Sequence, residues 1–322
     1  MLPGKKTKRV VVFGLPLLIV LMFAAKNYKY LDTSATQLGY NFWEKLLIVH
    51  ADDLGLTEST NQAFIEAQQQ GVINSASIMV PGRAYDEIVD YAIQYPEFDW
   101  GIHLTLTSSR NDYRMEGSAP KTEIKSLLDE NGFFYKTRDD IYEYADLDEV
   151  YTEIKAQLEK VLEDGVKISH IDSHMGVLYH SSEYLRLYLK LGEEFDIPVF
   201  IPKWNIEGEE FRKVLAEFDS PVLFVDYTFI RGEEKKDKSL EDIYNKFFSS
   251  LDPGVSQILI HPAKDVSELK AFMGNKVGYG AEWRYKEFQY FNNPNLKNNL
   301  FSDVKFTTWS ELYQKSKETA AK

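Results

Sequence analysis

Two adjacent carboxylates, Asp52 and Asp53, end an apolar run in the stretch Leu46 to Asn61, LLIVHADDLGLTESTN. Four of the six histidines stand in comparable places: His103 in GIHLTLT, His170 and His174 in HIDSHMG, and His261 in ILIHPA. Imidazole and carboxylate are natural ligands for zinc and other first-row divalent ions. Asp53, His103 and His174 would make a three-ligand site with open positions for water and substrate. Open coordination suits a catalytic ion, which lowers the pKa of bound water and polarises a carbonyl oxygen. Side chains alternate faces along an extended strand, so Asp52 and Asp53 are expected to point differently, one to a metal and one acting as a base.

These residues need strands to hold them. The unbroken run Leu46, Leu47, Ile48 and Val49 reads as a strand buried on both faces, as in a helix-covered parallel sheet. The carboxyl ends of such strands are where ligands and catalysis collect. Further strands are expected at 72–80, 101–107, 168–173, 198–201, 222–225 and 258–260. Helices are expected at 59–70, capped by Ser59 or Thr57, and at 85–95, 147–164, 182–195, 240–250 and 282–291. A short strand and helix over 306–315 close the chain. The alternation predicts an α/β fold, a TIM-like (β/α) barrel, distorted or seven-stranded. Residues 108–144 break the rhythm and read as a substrate loop inserted at the catalytic end.

The 322 residues are enough for one large catalytic domain, expected over 45–318 with a 319–322 tail. Lys5, Lys6, Lys8 and Arg9 precede the apolar run from Val10 to Ala25, the pattern of a signal peptide or membrane anchor over 1–26. Residues 27–44 read as a tether. The expected location is therefore exported or membrane-anchored, with the catalytic domain outside the cytoplasm. A net charge of −13 argues against a nucleic-acid surface, which needs clustered Lys and Arg. The absence of cysteine excludes disulfides, thiolate nucleophiles and zinc–thiolate sites. Aromatic residues make up 14% of the chain; most should be core, with some lining a groove as sugar-stacking faces.

ADDLG at 51–55 with Asn61, SIMV at 77–80, GIHLTLT, HIDSH at 170–174 and HPA at 261–263 together resemble the YdjC-like family of carbohydrate deacetylases, which includes ChbG and the HpnK enzymes. The resemblance covers about residues 46–317. It implies that Asp53, His103 and His174 bind one divalent ion, magnesium or zinc, that Asp52 is the general base, and that His261 is the general acid. The implied reaction is metal-dependent removal of an N-acetyl group from a sugar. Two imidazoles fit zinc or another transition metal better than magnesium, which prefers oxygen ligands. Asp172 or His170 would then orient His174 by hydrogen bonding.

The chain departs from the family where DSHMGVLYH replaces a histidine-richer DSHHHVH, so Met175, Gly176 and Leu178 put the substrate in doubt. His50 either touches the site or caps its strand, the cap being favoured; Arg284 could reach an acidic or sugar oxygen, a surface ion pair being favoured. The expected partners are an N-acetylated carbohydrate, no nucleic acid, and a membrane reached through residues 10–25; a homodimer is compatible. An esterase or phosphoesterase on the same triad is the alternative, but no glycine-rich anion loop is present. A non-catalytic glycan-binding protein would be expected to lose Asp52 or His261, and both are there.

Overall fold

The computed structural model describes residues 32–108, 113–206, 208–218, 222–230, 239–264, 266–273, 280–297 and 303–321. The expected signal or anchor, 1–26, with its apolar stretch 10–25, lies outside these. Among the described residues, no helix is long and apolar enough to cross a membrane.

The organising strand β1 (Lys45–Leu54) is buried along almost its whole length because it has a neighbour on each side. Strand β2 (Ser75–Ile78) pairs with it on one edge and β8 (Gly254–Ile260) on the other, both in parallel. Beyond β2 come β3 (Trp100–Leu104) and β4 (His170–Ser173), and beyond β8 comes β7 (Tyr227–Phe229). A short β9 (Lys305–Phe306) also pairs with the start of β1. Two more parallel strands, β5 (Phe200–Pro202) and β6 (Leu223–Val225), form a separate pair.

The result is an α/β fold whose parallel sheet curls into a half-barrel. This half-barrel is compatible with the expected barrel-like fold, and its weakest sector lies at β5 and β6, which pair apart from the main sheet. Strands β5 and β6 have three residues each, and one bridge, Ile171 to Val199, links β4 to the segment entering β5. Strand β6 passes through Asp226 directly into β7, which belongs to the main sheet.

Asp226 also accounts for a difference at the N-terminal side. Its carboxylate accepts hydrogen bonds from the Ser34 backbone and hydroxyl, from the Val255 backbone at 2.9 Å, and from Lys203. The described part of the 27–44 stretch is thus docked rather than loose. Thr33 caps a helical turn, Ser34–Gln37, that buries Ala35 and Leu38. The final helix, Trp309–Ala320, reaches into the 319–322 segment expected as a tail, where the Thr319 hydroxyl donates to the Leu38 carbonyl.

The helix after β1, Glu58–Gln68, starts at Thr57, whose hydroxyl and backbone exchange hydrogen bonds with Thr60. The helix Leu147–Glu163 carries the inserted segment. Its buried Glu153 accepts hydrogen bonds from the backbone N–H groups of Ser118 and Ala119 and from Gln157 Nε2. A carboxylate suits this position because both oxygens face only donors. The insertion is accordingly fastened to the fold at its middle.

His170, expected near His174, is instead a core residue. Gly101 sits beside it in the β3–β4 register, and a Cβ on Gly101 would lie 2.3 Å from His170 Nε2. The ring stacks on Trp309 and its Nδ1 is 2.8 Å from Ser169 Oγ. Complete burial holds its pKa down at about 4, outweighing the pull of nearby Asp99.

Two outcomes follow. Glu153→Gln puts an amide N–H against backbone donors and should cost about 1–3 kcal/mol in urea unfolding; unchanged stability would show that the carboxylate does not fasten the insertion. The unfolded chain protonates His170 near pH 6.5, whereas the folded core resists until about pH 4. Stability should therefore fall as pH drops through that window, on the order of 3 kcal/mol from this group, and His170→Gln should flatten the slope.

Candidate active site

The strand β1 ends irregularly, and that irregularity builds the site. Its register with β2 shifts between Ala51 and Leu54, and Asp53 has φ 63°. A bulge with a left-handed aspartate suspends the strand alternation, so the expected opposite facing of Asp52 and Asp53 does not occur. Both carboxylates are buried and line one cavity of about 350 Å³.

The rest of ADDLG closes the turn. Gly55 has φ 88°, and a Cβ on Gly82 would lie 2.1 Å from the Gly55 carbonyl oxygen. Asn61 Oδ1 accepts the Gly55 N–H at 2.7 Å, and its amide donates to the Ala84 carbonyl and to Glu87. The motif's asparagine is thus a turn clamp.

Asp53 Oδ1 lies 3.2 Å from His174 Nδ1 and 3.4 Å from His103 Nε2, and those two nitrogens are 3.2 Å apart. Three ligand atoms so close, with a buried Asp53 Oδ1 that accepts no aligned hydrogen bond, fit a divalent cation. The other oxygen, Oδ2, accepts from Arg284 Nη2 at 2.6 Å. Burial alone would raise the Asp53 pKa; Arg284 and the two histidines overcome this and hold it well below the usual carboxylate range.

Strands β3 and β4 set His103 beside Asp172 in register, and His103 Nδ1 is 2.5 Å from Asp172 Oδ1. Asp172 therefore orients His103, whereas the sequence reading had it orienting His174. With Nδ1 committed to a carboxylate, His103 Nε2 is left facing Asp53 and His174. Despite complete burial, the Asp172 and Asp52 charges push the His103 pKa well above its ordinary value. His174 follows β4, and the chain then turns through Met175 (φ 53°) and Gly176 (φ 66°), which places Met175 at the cavity mouth.

Asp52 lies on the other side. Strands β1 and β8 pair Ala51 with Ile260, and one residue on, Asp52 Oδ2 is 3.6 Å from His261 Nε2. The His261 backbone N–H donates to Glu287 Oε2 at 2.7 Å, and burial lowers the imidazole pKa. The opening beyond is lined by Met175, His180, Trp204 and Ile230, so some of the aromatic surplus does face the cavity.

Of the seven residues singled out in the sequence, six converge here: Asp52, Asp53, His103, Asp172, His174 and His261. His170 does not line the cavity. For two further contributors the less favoured reading holds. Arg284 is buried against Asp53, not paired at the surface. It shares a helical stripe with Glu287, Phe288 and Phe291 at spacings of three, four and seven, all buried, and that periodicity was the available signal. His50 is fully buried and its Nε2 contacts Asp172 and Asp52, so it is more than a strand cap. Burial would depress its pKa, but the contacts with Asp172 and Asp52 raise it to about 9. Its signal was the two-residue spacing from Asp52, which puts both on one strand face.

Known proteins share this framework. The family described as YdjC-like protein matches residues 46–301. A carbohydrate deacetylase of Thermoanaerobacter pseudethanolicus is 30% identical over 226 residues, 70% of this chain and 84% of that one. The Vibrio cholerae carbohydrate deacetylase is 28% identical over 83% of this chain and 96% of its own length. For the Brevibacillus brevis carbohydrate deacetylase the match is 36% over 170 residues, 53% of this chain and 64% of that protein, so it spans less than two thirds of that relative. An Enterococcus faecalis crystal structure, described as a cellobiose-phosphate cleavage protein, superposes with a TM-score of 0.69 at 27% identity, covering 84% of this chain and 99% of that one. With the match running through the strands that carry Asp52, Asp53, His103, His174 and His261, the chain belongs to the YdjC-like family.

Proposed function

We propose that the protein is a metal-dependent carbohydrate deacetylase that removes the N-acetyl group from an acetylated sugar or oligosaccharide. The observation that carries the reading is the convergence of Asp53 Oδ1, His103 Nε2 and His174 Nδ1 on one point, with Asp52 and His261 facing each other 3.6 Å apart in the same cavity. In this reading Asp53, His103 and His174 hold one divalent cation, and their imidazole content favours zinc or another transition metal over magnesium. Such an ion would supply Lewis acidity, lowering the pKa of a water and polarising the acetyl carbonyl oxygen.

The chain's own groups supply the proton traffic. Asp52 takes a proton from the attacking water as its oxygen bonds to the acetyl carbon. His261, across the cavity, gives a proton to the sugar nitrogen as the carbon–nitrogen bond breaks, because an unprotonated amide nitrogen leaves poorly. Acetate and the free amino sugar are the products. Arg284 occupies Asp53 Oδ2, so Oδ1 is the oxygen that would be available to a cation. The basic-then-apolar N-terminus supports an exported or membrane-anchored enzyme.

The test is acetate release from a panel of N-acetylated sugars by chelated protein to which zinc, magnesium, manganese or cobalt is returned. Release should vanish on chelation and return with at least one ion; release that survives complete metal removal would overturn the metal role. Asp52→Asn and His261→Ala should each lower kcat about 10²–10⁴-fold while zinc stays bound. Wild-type turnover in either variant would remove that residue from its role.

A further inference from the structure

One side chain in the site touches both of its halves. His50 lies on β1 with its Nδ1 2.9 Å from Ser75 Oγ, its partner in the β1–β2 register. Its Nε2 is 2.9 Å from Asp172 Oδ2, 3.1 Å from Ser77 Oγ and 3.1 Å from Asp52 Oδ1. The Asp172 contact is an aligned hydrogen bond, and the Asp52 contact is an ion pair without that alignment. Asp172 turns its other oxygen to His103. A continuous chain therefore runs from Asp52 through His50 and Asp172 to His103.

We propose that His50 is a positioning residue, which fixes Asp52 and Asp172 relative to each other so that the base and the cation-binding histidine keep one geometry. Two buried carboxylates with no group between them repel and are poorly solvated. A ring anchored by Ser75 and Ser77 sets its Nε2 against both, hydrogen-bonded to Asp172 and facing Asp52. Without it, Asp172 loses the contact on Oδ2 that sets its rotation, and the His103 tautomer is less firmly held. Asp52 loses the contact that leaves its Oδ2 directed toward His261.

The kinetic half of this proposal rests on the deacetylase reading; the metal half does not. Full-chain His50→Leu and His50→Gln are compared with wild type for zinc affinity by calorimetry, for kcat and KM of acetate release, and for melting. His50→Leu should bind zinc about 10–100-fold more weakly and lose about 10–100-fold in kcat with little change in KM. His50→Gln, which keeps one donor, should fall between. Adding His50→Leu to Asp52→Asn should slow the reaction by a smaller factor than His50→Leu slows wild type, because part of the effect passes through Asp52.

A folded His50→Leu protein with wild-type zinc affinity and kcat would overturn the proposal, as would a kcat loss fully additive with Asp52→Asn. Should His50→Leu fail to fold, His50→Gln decides: at least a fivefold loss in both quantities supports the role, and wild-type values overturn it. If wild type binds zinc but releases no acetate from any sugar, the deacetylase reading fails, and zinc affinity alone decides the part played by His50.

Discussion

Three buried carboxylates, Asp52, Asp53 and Asp172, crowd one end of the sheet, and the surrounding structure is arranged to keep them there. Removing charge from water is costly unless partners compensate. Arg284 faces Asp53, His50 faces Asp172 and Asp52, and His103 lies between Asp53 and Asp172. Each partner arrives from a different element: the helix Ala281–Phe291, β1 and β3. A site paired in this way ties distant segments together, so loosening any one of them leaves a carboxylate exposed to repulsion.

The backbone contributes by a departure from regularity at the end of β1. Had β1 continued as a plain strand through Asp53, one carboxylate would have faced the helical layer. The bulge and the left-handed turn at Asp53 bring both into the cavity, and the close approach of Gly55 and Gly82 keeps the turn tight. Strained conformations of this kind persist where the surroundings over-determine them. Here Asn61 does so with hydrogen bonds in three directions.

The opening of the cavity has a different chemistry from its floor. Charged and imidazole groups lie deep, while Met175, Trp204 and Ile230 are substantially exposed along the rim. Met175, directly after His174, is itself left-handed, and that turn sets it at the rim. The histidine-poor DSHMGVLYH segment thus shapes the rim while Asp53, His103 and His174 stay together beneath it.

Much of this was legible in the chain. Apolar runs ending in Asp or His identified β1 and β8, because a doubly covered parallel strand must be apolar until it reaches its carboxyl end, and alternation in GIHLTLT identified β3. Capping residues and helical periodicity placed most helices to within a few residues. The pairing of His103 with Asp172 was not legible, because it depends on the register of two strands whose sequences are far apart. For Arg284 and His50 a helical stripe and a two-residue spacing marked the face each occupies, but the charged partner each meets there was decided by folding. Residue types fixed which chemistry was available; the bulge in β1 and the strand registers decided which atoms face one another, because ångström-scale contacts between distant segments arise only from tertiary packing.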